Sequence, residues 1–134
     1  MSATDSATKR FTLRDAQGMW WLLHEEADTS QFSKDEKSVL GQFFFEMQML
    51  DTCEGLMHHN LSVLTGSRTD TTDRQMGVLD NLQSGGDLLD PYQPLFQQVL
   101  LLAKKVRPAI TEGCAQFLRS QFDYGSWVRE ELGL

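Results

Sequence analysis

The fold is decided by residues 33–64, SKDEKSVLGQFFFEMQMLDTCEGLMHHNLSVL. Ser33-Lys-Asp-Glu36 has the form of a capping box. In that motif the serine hydroxyl accepts from the third backbone N–H, and the glutamate reaches back to the serine's own N–H. Its acidic residues also sit where the helix dipole favours negative charge. Leu40, Phe43, Met47, Leu50, Glu54, Met57, Leu61 and Leu64 then follow at gaps alternating three and four, the a/d spacing of a heptad seam. A second stripe, Phe45, Met49, Leu56 and Val63, runs beside the first, and the next clear stop is Gly66. The pattern predicts one helix of roughly 50 Å at 1.5 Å per residue. That exceeds the width of a compact domain of this size. Such a helix must either bend near Gly41 or Gly55, or lie along a partner surface of equal length.

Upstream, Thr12-Leu-Arg-Asp15 is a capping box with Asp in place of the longer Glu. Leu13, Ala16, Trp20, Leu23 and Ala27 recur on one helical face, and Met19, Trp21 and Leu22 widen it. Gly18 costs about 1 kcal/mol of helix propensity against Ala, and its bare backbone would let another helix approach. Asp28 to Gln31 is the connection. Downstream, residues 65–73 (TGSRTDTTD) read as a polar loop. Met76, Val78, Leu79 and Leu82 mark a short third helix that stops at Ser84-Gly85-Gly86. Gly86 to Pro94 is irregular. Asp90-Pro91 fits an N-cap with proline at the first helical position, and Pro94 is the alternative start. Phe96, Val99, Ala103, Val106, Ile110 and Phe117 keep three-four spacing across Pro108, which must kink the helix or split it in two. That helix ends near Phe122. Gly125 breaks the chain, and Ser126 is placed to cap a last turn through Trp127, Val128 and Leu132.

No alternating apolar-polar run competes as a strand. The expected fold is therefore an all-α, up-down bundle of four to five helices. Two long helices, at about 33–64 and 91–122, pack antiparallel in it. Residues 1–10, rich in Ser, Thr, Ala and Asp, read as a flexible leader, and 11–134 as a single helical domain.

Composition narrows the function classes. Hydrophobic residues make up 40% and charged residues 23% of 134, ordinary for a globular domain. The net charge is -7. The twelve Lys and Arg are scattered, with Lys104, Lys105 and Arg107 the densest group. Direct nucleic-acid binding, which needs basic groups lined along one face, is not expected. No apolar run approaches the roughly twenty residues of a membrane span, and Met1 to Arg10 holds no apolar signal core. A cytoplasmic protein with reduced Cys53 and Cys114 is expected.

Few residues suggest chemistry. His24-Glu25-Glu26 ends the first helix, and Asp51, Glu54, His58 and His59 stand on the second. Glu54 and His58 share a face at a spacing of four. Di-iron bundles instead place Glu and His three apart, in pairs on two helices; here the spacing differs and no second copy exists. Cys53 and His58, five apart, do not face each other. Gly85-Gly86 lacks the Lys-Ser/Thr of a phosphate loop. No catalytic residue, metal or cofactor is expected. Glu54 interrupts an apolar seam, and a buried carboxylate is costly unless paired. Its expected partners are Arg107, Arg119 or a facing histidine; otherwise the seam opens to water there.

Trp20-Trp21 and Phe43-Phe44-Phe45 point consecutive aromatics around their helices, so one face cannot bury them all. A surplus of aromatic and Met side chains marks protein-binding surfaces. Candidate partner-binding residues are therefore Trp20, Trp21, Phe43, Phe44, Phe45, Met47 and Met49. Leu40, Leu50, Glu54, Met57 and Leu61 are candidates for a homodimer seam or for setting register. The expected function is that of a non-enzymatic regulatory protein that blocks, sequesters or bridges a protein partner through an apolar helical face. The alternative is a bundle binding a small ligand or metal, with Glu54, His58 or His24 as polar anchors.

Overall fold

The computed structural model describes residues 10–26, 28–63, 70–122 and 124–134. Within them the chain is helical and contains no strand. Six α-helices follow in order: α1 (Leu13–Trp21), α2 (Lys34–Val63), α3 (Asp70–Ser84), α4 (Gln93–Val106), α5 (Glu112–Gln121) and α6 (Ser126–Leu132). The expected leader lies outside the described residues except for Arg10. That residue is anchored: its guanidinium donates to Gly85 O at 2.9 Å and Gly86 O at 3.2 Å and pairs with Asp90.

The capping box of α2 forms as its sequence demands. Ser33 N donates to Glu36 Oε1 at 2.8 Å, and Glu36 N donates to Ser33 Oγ at 3.1 Å. The helix runs thirty residues without interruption at Gly41 or Gly55, about 45 Å long. It hides its seam by taking successive partners from its own chain. Glu36 meets Lys105 and Phe43 meets Phe96, so α4 runs antiparallel along its first half. Gln83 reaches Glu54, so α3 folds back along its second half. Arg14, Gln17 and Trp20 meet Glu54, Asp51 and Phe44 in turn, which lays α1 antiparallel along its flank. Leu40, Phe43, Met47 and Leu50 are buried in the resulting core with Leu13, Met19, Leu22, Phe96 and Val99. Each such side chain contributes about 1.5–3 kcal/mol by leaving water. The seam proposed for a homodimer is thus corrected at Leu40, Leu50 and Glu54, which are buried within one molecule. Met57 is half-buried, and Leu61 lies in α2 with its side chain outside the described set.

Several boundaries differ from the sequence expectation. Helix α3 is described from Asp70 onward, inside the stretch read as a loop, where the segment's polarity concealed it. Pro91 sits in a 3₁₀ helix, Asp87–Tyr92, and Pro94 rather than Pro91 marks the start of α4. The second long stretch is divided at Pro108, where a 3₁₀ turn, Arg107–Ala109, is followed by extended Ile110. Thr111 restarts the chain as the N-cap of α5, its hydroxyl accepting from Cys114 N at 3.2 Å. The phase is reset by that break: Leu118 enters the core and Phe117 turns outward. Gly125, not Ser126, is the N-cap of α6. At the end of α3, Gly85 adopts φ 75° and Gly86 N donates back to Asn81 O at 2.8 Å, the six-to-one bond of a Schellman turn.

Two long-range clamps fix α1. The Thr12–Asp15 box forms at 2.9 and 3.1 Å, and the second carboxylate oxygen of Asp15, Oδ1, accepts from Gly125 N at 2.7 Å. Gly18 admits the ring of Tyr124 from the connection after α5, rather than another helix.

Candidate functional site

The site is built along α2, where α1 crosses its flank. Glu54 is 7% exposed. It is satisfied by Arg14 Nη2 at 3.2 Å and Nη1 at 3.3 Å, Gln17 Nε2 at 3.2 Å and Gln83 Nε2 at 3.5 Å. The expected partners are corrected. Arg107 is spent on Leu132 O and Gly133 O, and Arg119 on Glu112 and Leu134 O. The buried carboxylate therefore ties α1, α2 and α3 together, which fixes register within the chain. His58 and His59 are exposed, so Glu54 and His58 form no common centre. Among the described residues no three His, Cys, Asp or Glu side chains converge on a point. Cys53 and Cys114 are half-buried and form no disulfide with each other.

Beside this network, α1 and α2 leave a cleft of roughly 420 Å³ lined by Trp20, His24, Phe44, Gln48, Asp51 and Thr52. The α-helix of α1 loosens into a π-helical turn, Leu22–Glu26, which carries His24. His24 stacks on Trp20 at 4.5 Å between centroids with an interplanar angle of 11°. Its edge meets Phe44 at 5.1 Å, and Trp20 meets Phe44 at 6.5 Å. His24 Nδ1 lies 3.0 Å from Glu25. Asp51 accepts from Gln17 Nε2 at 2.9 Å. Partial burial pushes its carboxyl above the usual range, and the nearby Glu54 charge adds to this, while Gln17 and Arg14 oppose it. Among the described residues no cation lies within ion-pair distance of Asp51. A smaller recess continues past Trp20 to Trp21, Glu54 and Phe122. There Trp21 meets Phe117 at 5.5 Å and Phe122 at 6.2 Å.

The outer face of α2 borders the cleft. Phe45, Met49 and Leu56 are 61%, 57% and 55% exposed. With Thr52 they are spaced four, three and four, which places them on one helical face. Thr52 belongs to both features, lining the cleft and lying within the stripe. The proposed partner-binding residues thus separate. Phe45 and Met49 are exposed; Trp20, Trp21 and Phe44 are half-buried in the aromatic ridge. Phe43 and Met47 are corrected: they have no exposed surface, because α4 and α1 cover that side of α2. Leu56, Gln48, Asp51 and Thr52 were not among the residues singled out for partner binding. The second apolar stripe contained Leu56, but α2 alone does not say which stripe its neighbours cover.

Compared with known protein families, curated proteins and solved structures, this chain matches none. No helix among the described residues is long and apolar enough to cross a membrane.

Proposed function

We propose that this protein acts by binding another protein along the outer face of α2, as a non-enzymatic blocker, sequestering factor or bridge. The observation that carries the reading is the stripe of Phe45, Met49 and Leu56, each more than half exposed on one face of one long helix. Scattered apolar groups are normal on surfaces; a row of three on one helical face, broken only by Thr52 and set beside an aromatic cleft, has the composition of an interface centre. Phe43, Met47 and Leu50 hold the opposite face of the helix in the core, so the row is presented rigidly and binding requires no unfolding. The partner is taken as a different protein carrying basic groups, because a net charge of -7 opposes pairing of two copies and favours a positive surface.

The test compares the wild-type chain with Phe45→Asp, Met49→Asp and Leu56→Asp. Each variant is used as bait in its native cells with quantitative mass spectrometry and is checked by light scattering. The reading expects a defined partner held by wild type and lost from all three variants, with wild type monomeric at tens of micromolar. A partner set unchanged by the three substitutions overturns it. A wild-type dimer that the same substitutions dissociate would reassign the face to self-association.

A further inference from the structure

We propose that the cleft between α1 and α2 seats an arginine side chain of the partner protein, its guanidinium against the Trp20–His24 stack and paired with Asp51. This rests on the protein-binding reading above and specifies the chemistry of the same surface.

Three features of the cleft select this occupant. Its walls are aromatic: the near-parallel Trp20 and His24 rings and Phe44 meet within 6.5 Å of one another. A flat, delocalised guanidinium stacks on such rings, and a strongly hydrated ammonium does so less well. Its polar group is a carboxylate. Asp51 has one amide partner, Gln17, and no cation among the described residues within ion-pair distance. Glu54, by contrast, is already neutralised by Arg14. The volume of roughly 420 Å³ exceeds one side chain and lies at the low end of the range for pockets that hold small ligands.

Burial raises the Asp51 pKa, so the charged form is disfavoured in the folded state relative to the unfolded one. By linkage, a raised folded pKa gives stability present below the unfolded pKa and lost as pH rises through the folded value. Asp51 is itself exposed, so water screens this effect and its weight in stability is small.

The probe is N-acetyl-L-arginine amide, titrated into the ¹⁵N-labelled full chain at constant ionic strength, with the uncharged N-acetyl-L-citrulline amide and N-acetyl-L-lysine amide in parallel. The Trp20 indole N–H resonance, assigned with Trp20→Phe, is the readout. The expected result is a saturable shift for arginine at millimolar concentration. Citrulline and lysine should need several-fold more. Asp51→Asn should weaken the arginine response about fivefold or more. Asp80→Asn, an equal change of charge at an exposed position of α3, should leave the response intact. Equal shifts from arginine and citrulline, no saturation, or an unchanged response in Asp51→Asn each overturn the proposal. Those results leave the stripe reading standing, because Phe45, Met49 and Leu56 do not line the cleft.

Discussion

Substituting Gly18 by alanine should destabilise the protein, against the helix propensity of the two residues. In the interior of α1, alanine is favoured over glycine by about 1 kcal/mol. Here the added Cβ would lie more than an ångström closer than ordinary contact to Cε1, Cζ and Oη of Tyr124. Tyr124 is buried against the core, and Phe122 packs beside it at 6.1 Å, so the ring has little room to retreat. Overpacking of a closed core costs about 1–3 kcal/mol, and an overlap this deep belongs at the upper end. The net expectation is a loss of about 2 kcal/mol, or roughly 6–8 °C in Tm for a chain of this length. Urea unfolding followed by tryptophan fluorescence and far-ultraviolet circular dichroism measures it. A double-mutant cycle isolates the cause: in a Tyr124→Ala background the clash is gone, and Gly18→Ala should become stabilising by about 1 kcal/mol. If Gly18→Ala stabilises the otherwise wild-type protein, the ring yields freely and the account of this contact is wrong.

Two further predictions concern groups buried near the site. Tyr124 Oη is buried with no hydrogen-bond partner among the described residues, so Tyr124→Phe should stabilise by about 1 kcal/mol in urea unfolding. Burial, and secondarily the Asp15 charge, raise the Tyr124 pKa well above its ordinary value of 10.0. The unfolded chain therefore releases this proton first, and stability present below about pH 10 should fall as pH rises further. Tyr124→Phe should flatten that decline, and identical alkaline profiles for the two proteins would contradict the assignment. The Arg14–Glu54 pair should respond asymmetrically. Arg14→Met strands a carboxylate that is only 7% exposed and should cost about 2 kcal/mol, discounted because the Arg14 side chain is 38% exposed. Glu54→Leu leaves an arginine that reaches water and still bonds Gln17, and should be neutral or stabilising. Equal losses in thermal unfolding would show that Arg14 is as desolvated as its partner.

How much of this was legible in the sequence follows the range of the interactions. Helix α2 was readable because its start signal and its apolar spacing are local, and a thirty-residue pattern overrides any single exception. The Thr12–Asp15 box was readable for the same reason. The second duty of Asp15 was not, because its partner Gly125 lies 110 residues away. Glu54 stood out as a polar interruption, yet its partner came from α1, a helix whose basic residue showed no periodic signal. The phase across Pro108 misled because Ile110 and Phe117 fit a three-four ladder by spacing alone. A proline that resets the backbone through an extended residue also resets which side faces inward. At the candidate site the residue types were visible and their partition was not. Spacing assigns Phe43, Phe44 and Phe45 to different faces of α2, and only the positions of α1 and α4 decide which is core, which lines the cleft and which is surface.

The same rigid helix carries both halves of the proposed interface, and this constrains the partner. Phe45 and Leu56 are eleven residues apart, about 16 Å along the axis at 1.5 Å per residue, and Asp51 lies between them at the cleft. Because Phe43, Met47 and Leu50 lock the inner face of α2, neither half can shift against the other without opening the core. A complementary segment must therefore offer apolar groups along about 16 Å and a basic group near the middle, set to one side. Three turns of an amphipathic helix meet that requirement, as does an extended segment of about five residues. A rigid surface loses little conformational freedom on binding, so affinity would depend on the match of spacing more than on area. Insertion of one residue between Met49 and Asp51 should then abolish binding, since it turns Asp51, Thr52 and Leu56 about 100° away from Phe44, Gln48 and the Phe45–Met49 half of the stripe and takes Glu54 out of register with Arg14.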